Sequence, residues 1–135
     1  MFLMLMLFKK NLNEPKNTVC FKERCFFVEI VKNDEDLKKG LMFRKELSLD
    51  NGMLFVFQKE DKYPFWMKNT LIPLDIIWLN KDKEVVFINK NTQPCLENNC
   101  ESIAPDKDSK YVLEINGGIS DKINLGVGDK LIFDI

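Results

Sequence analysis

The sequence predicts a mainly β (α+β) domain, a small barrel-like rolled sheet of about seven or eight short strands with one or two short helices. Three observations point there. The chain has 135 residues with 11 Phe but a single alanine, Ala104, so strand formers are abundant and the best helix former is nearly absent. Its apolar segments are short and alternating, and are separated by Asn, Gly, Pro and Asp clusters that read as turns. The length and a hydrophobic share of 45% suit one domain with a buried core.

Each element follows from local chemistry. Val19–Phe21 and Cys25–Val31 read as a hairpin, with Phe26, Val28 and Ile30 alternating against Phe27 and Glu29. In Asn33-Asp34-Glu35-Asp36-Leu37-Lys38-Lys39-Gly40 a capping residue precedes acids, then lysines, then a glycine stop, which predicts a short helix over Asp34–Lys39. Asn51-Gly52 reads as a tight turn before the buried strand Met53–Phe57. Phe65–Leu71 is expected to be extended after the Tyr63-Pro64 break, and Asp75–Asn80 with Glu84–Asn89 forms the clearest hairpin. A loop from Lys90 to Lys110 leads to a strand over Tyr111–Ile115. A short helix near Ser120–Ile123 and a closing strand, Lys130–Ile135, complete the domain.

Composition removes several function classes. A net charge of −1 leaves no electrostatic footprint for nucleic acid, so none is expected as a partner. Histidine is absent, which excludes Ser-His-Asp and Cys-His catalysis and helical zinc-protease motifs. No cofactor and no metal ligand set is expected. Only Arg24 and Arg44 among the 20 basic residues are arginine, which suggests that these two positions use the planar fork.

Residues 1–18 read as an apolar run, Met1–Phe8, followed by a polar tether; residues 19–135 form the single β-rich domain. Eight apolar residues are too few for a membrane-spanning helix, which needs about 20, but match the apolar region of an export signal or anchor. The alternative is an apolar strand against the core. The four cysteines favour export: Cys20 and Cys25, like Cys95 and Cys100, bracket turn-forming sequence, and a hairpin brings such positions within disulfide reach. Each bridge would contribute about 2 kcal/mol. A four-thiolate zinc site and four free thiols are the alternatives. The expected location is therefore extracytoplasmic, secreted or membrane-tethered, or cytoplasmic if the run is a strand and the thiols are free; a monomer is expected.

Gly40-Leu41-Met42-Phe43-Arg44, Gly52–Phe57 and above all Phe65-Trp66-Met67-Lys68-Asn69-Thr70-Leu71-Ile72-Pro73-Leu74-Asp75-Ile76 resemble a known family. Pro94-Cys95, Tyr111–Glu114, Gly117-Gly118 and Gly128-Asp129 follow in the same order. Over roughly Phe26 to Phe133 the chain resembles domain of unknown function 192. The resemblance implies a small β-barrel-like domain commonly carried behind an export signal in bacteria and archaea, and implies no settled activity. Cys100 fits the family's second cysteine; Cys20 and Cys25 lie outside its pattern.

In an extended Phe65–Leu71, Trp66, Lys68 and Thr70 share one face, opposite Phe65, Met67 and Asn69. A ring, an ammonium and a hydroxyl in a row suit a small molecule with an apolar or sugar-like surface and an anionic or hydroxylated group. The candidate ligand-binding residues are Arg44, Trp66, Lys68, Asn69, Asp75 and Glu114. Whether any reaction is catalysed is left open. A hydrolase or lyase would use Asp75 and Glu114 with Lys68, and a purely structural interaction domain is the third reading. Against these stands the bland alternative that Trp66 is a core residue with a satisfied indole and that Asp75 and Asn69 hold loops.

Overall fold

The computed structural model describes residues 17–135; the apolar run Met1–Phe8 and the tether up to Lys16 lie outside them. Six strands form one sheet: β1 (Thr18–Phe21), β2 (Arg24–Val31), β3 (Asn51–Asp61), β4 (Leu74–Leu79), β5 (Val85–Thr92) and β6 (Ser109–Asn116). Their order across the sheet is β1-β2-β3-β6-β4-β5. All neighbours are antiparallel except β2 and β3, which run parallel and are joined by a crossover containing helix α1 (Asp34–Lys39). A parallel pair needs such a crossover, because a tight turn can only reverse the chain.

The first hairpin, α1 and the β4–β5 hairpin stand where the sequence places them. Asn33 caps α1 by accepting from the Asp36 amide, and Gly40 ends it at φ 50°. Four expectations are corrected. The sheet is not closed, so this is not a true barrel, and it has six strands rather than seven or eight. The final segment makes only isolated bridges, Lys130 to Glu84 and Ile132 to Cys20, so it spans the gap between the two edges without becoming a strand. Asn51-Gly52 is inside β3 rather than a turn: a Cβ on Gly52 would lie 2.7 Å from the Glu114 backbone oxygen, so the glycine serves the close approach of β3 to β6.

Strict alternation divides the core into two layers. On one face Phe26, Val28, Leu54, Ile77 and Leu113 pack under Leu125, Leu131 and Phe133 and the short helix α2 (Ile119–Lys122). On the other Met53, Phe55, Ile76, Trp78 and Val112 pack under Leu41 and Met67. All six residues of β4 are buried, as expected of an inner strand covered on both sides. Among the described residues no helix is long and apolar enough to cross a membrane.

Candidate functional site

The second face is covered by irregular chain and by α1, whose Leu37 packs against it. The segment Phe65–Thr70 is not a strand. Backbone bonds between Phe65 and Ile103 hold one end, and Cys95 holds the other by donating to Met67 and accepting from Asn69. Phe65 and Met67 turn inward to the core while Trp66 turns outward and stays 38% exposed. The alternation then stops: Asn69 has φ 55° and Thr70 is buried, so Trp66, Lys68 and Thr70 do not form a continuous face. The Cys95–Cys100 disulfide closes the loop that holds this segment, and Cys20–Cys25 clamps the β1–β2 turn.

Between α1, this segment and the sheet is a cavity of about 430 Å³. Phe55 and Phe57 of β3 with Tyr63, Phe65 and Trp66 supply its aromatic wall, and Leu37, Gly40 and Leu41 supply the wall beside the helix. The rings brace one another: Phe55 meets Phe65 edge-on at 4.8 Å and Phe57 stacks on Tyr63 at 3.6 Å. Trp78 anchors the wall from behind, its indole N–H donating to the Tyr63 carbonyl at 2.9 Å. The buried tryptophan with a satisfied indole is therefore Trp78, and Trp66 is the one that faces the cavity.

Glu114 forms part of the cavity lining. It sits on β6 beside Met53 of β3 and Ile76 of β4, so it points to the second face from the middle of the sheet. Only 4% of it is exposed, and among the described residues no hydrogen-bond donor or cation acts on its carboxyl. Burial pushes its pKa from 4.5 up to about 8, and among the described residues no cation is near enough to favour the charged form. Gly40 makes room for it: a Cβ there would sit 3.6 Å from Glu114 Oε1 and 3.2 Å from the Phe55 ring, and φ 50° disfavours a side chain.

Of the six candidate residues, Trp66 and Glu114 line the cavity and four do not. Arg44 forks onto Glu29, with Nη2 donating to Oε1 at 2.9 Å and Nη1 to Oε2; this holds Glu29 below its usual pKa. Arg24 likewise uses both terminal nitrogens, on Asp50 and the Leu49 carbonyl, so both arginines serve as planar forks. Lys68 lies over the Trp66 ring, with Nζ 5.3 Å from its centroid. Asn69 shapes the backbone, its carbonyl accepting from Phe43 N–H at 2.8 Å.

Asp75 is fully buried and accepts three backbone N–H bonds, from Asn91, Gly118 and Ser120 at 2.7 to 3.0 Å. It pairs in register with Ile115, whereas Glu114 pairs with Ile76, so the two carboxyls are on opposite faces of the sheet. The hydrolase or lyase grouping of Asp75, Glu114 and Lys68 is therefore not assembled. The Gly117-Gly118 turn offers its Gly118 amide to Asp75.

The family model for DUF192, described as "Uncharacterized ACR", matches residues 17–133. The chain belongs to this family. A crystal structure of a protein of unknown function from Novosphingobium aromaticivorans DSM 12444 is 36% identical, with a TM-score of 0.78, over 86% of this chain and 82% of that one. A Sinorhizobium meliloti 1021 protein described as a "putative transcription regulator" is 30% identical, with a TM-score of 0.77, over 85% of this chain and 89% of that one. No curated protein sequence matches. Membership in DUF192 thus fixes fold and kinship and leaves activity to be argued from the cavity.

Proposed function

We propose that this DUF192 domain is a small-molecule-binding module whose ligand enters the cavity between α1 and Phe65–Thr70. One observation carries the reading: a buried carboxyl with no donor among the described residues faces a preformed, aromatic-lined space. An unpaired polar group in an apolar wall costs stability, and such groups concentrate where a ligand supplies the missing partner. The near-zero net charge supports a small ligand over nucleic acid, whatever role the Sinorhizobium relative has. Trp66→Ala is expected to weaken any cavity ligand at least about tenfold while moving the melting temperature little, since the ring is part-exposed. Ligand-detected NMR screening with wild type and variant tests this. Unchanged binding in the variant would place the ligand elsewhere.

The two disulfides support an oxidising, extracytoplasmic setting. Protein isolated from its native host with immediate alkylation is expected to carry no alkylated thiol before reduction and four after it. Four labelled thiols without reduction would place the domain in a reducing compartment.

A further inference from the structure

We infer that the ligand of this cavity is an organic cation, an ammonium or guanidinium group on an apolar stem, that enters head-first and pairs with Glu114. The inference rests on the binding role proposed above and names its ligand class. Two features select a cation. The first is the least exposed polar side chain of the lining, a carboxyl 4% exposed with no donor among the described residues, so the partner its ionised form lacks is a donor or a positive charge. The second is the wall, where Phe55, Phe57, Tyr63, Phe65 and Trp66 surround the approach; aromatic rings attract cations and bury apolar stems.

The charged and titratable groups around Glu114 do not supply that partner. From α1, Asp34, Lys38 and Lys39 line the cavity but are exposed, so water and salt screen them. From the aromatic segment come the Tyr63 phenol, whose O–H donates to the Lys59 carbonyl, and Lys68 over its tryptophan. From β3 and β4 the neighbours are Met53, Phe55, Ile76 and Trp78, none titratable. An arriving cation would find the carboxyl protonated at neutral pH and would displace its proton to solvent. Affinity for a cation therefore rises with pH until the carboxyl of the free protein is ionised, near pH 8. A neutral ligand that accepts the Glu114 proton shows the opposite trend.

The test uses 2-phenylethylamine, its neutral isostere 2-phenylethanol, and phenylacetate, titrated calorimetrically into the disulfide-intact domain at pH 6, 7 and 8. The amine is expected to bind at least about tenfold tighter than the alcohol at pH 8, and to gain up to about tenfold in affinity per pH unit from 6 to 7. Glu114→Gln is expected to erase both the preference for the amine and the pH slope. Since that variant also puts an amide N–H2 in place of a carboxyl oxygen, the wild-type pH slope stands as an independent readout. Tighter binding of alcohol or phenylacetate, or an amine affinity flat or falling with pH, overturns the cation assignment and leaves the cavity role standing. Failure of all three to bind in the cavity overturns both.

Discussion

Asp75→Asn is expected to destabilise the domain by about 3 kcal/mol, measured as a lower urea midpoint at unchanged m-value. The carboxylate has no exposed surface. Oδ1 accepts from the amides of Asn91 and Gly118, and Oδ2 from that of Ser120. An asparagine keeps one acceptor and replaces the other with an N–H2 group. At least one backbone amide would then confront a donor in a site where no water is available to relieve it. The consequence is also architectural. Those three bonds tie the end of β5 and the start of α2 to β4, and α2 is only four residues long, too short to persist unaided. Its residue Ile119 belongs to the first core layer with Leu125, Leu131 and Phe133, so loosening it exposes that layer's cover. Ligand binding on the second face is expected to be unchanged in variant protein kept well below its melting temperature. Reduced affinity without loss of fold would show that the two faces are coupled. A stability change under about 0.5 kcal/mol would show that Asp75 does not hold α2 as described.

The elements legible in the sequence are those whose signals are local. The cap, acids, lysines and glycine of α1 lie within eight consecutive residues, and the spacing of Cys20 and Cys25 is that of the hairpin they close. What escaped was set by distant partners. Phe65–Thr70 alternates like a strand at first, but its backbone partners are Cys95 and Ile103 in a loop, and positive φ at Asn69 ends the alternation. Gly52 resembles a turn glycine because the oxygen that forbids a Cβ there belongs to residue 114. The final segment has strand composition, yet it meets each edge through single bridges. The site was partly legible for the same reason. Glu114 is conspicuous as an acid within the apolar run Tyr111–Ile115, and Trp66 as an aromatic in a polar-studded motif. Nothing in the linear pattern joins them to Leu37 and Gly40 of the helix wall. Asp75 is as conspicuous as Glu114, and only the register of β4 with β6 separates the one that holds a loop from the one that faces a cavity.

Glu114→Gln is expected to make the domain more stable than wild type at pH 8 to 9, by a margin that vanishes near pH 4. Burial raises the folded-state pKa of this carboxyl from 4.5 to about 8. Below 4.5 both folded and unfolded chains hold the proton, and the group costs nothing through ionisation. Between 4.5 and 8 the unfolded chain releases it while the folded one retains it, so stability falls as pH rises, by at most about 1.4 kcal/mol per pH unit. Above the folded pKa the cost is complete, with an upper bound of roughly 5 kcal/mol that water entering the cavity reduces. Glutamine keeps the shape and removes the titration. Glu29 runs the opposite way, since Arg44 lowers its pKa, and its contribution is lost as pH falls; being exposed and paired identically in both proteins, it cancels in the difference. The measurement is the urea-unfolding free energy of wild type minus variant from pH 4 to pH 9. A difference that does not change with pH would mean that Glu114 ionises normally in the folded protein, and the cavity would then be too wet to hold an unpaired carboxyl. A difference that becomes more negative as pH rises would quantify the penalty that a bound cation can relieve. An ammonium ligand should then raise wild-type stability more at pH 8 than at pH 6 at equal ligand concentration, because only the ionised carboxyl gains from the pairing.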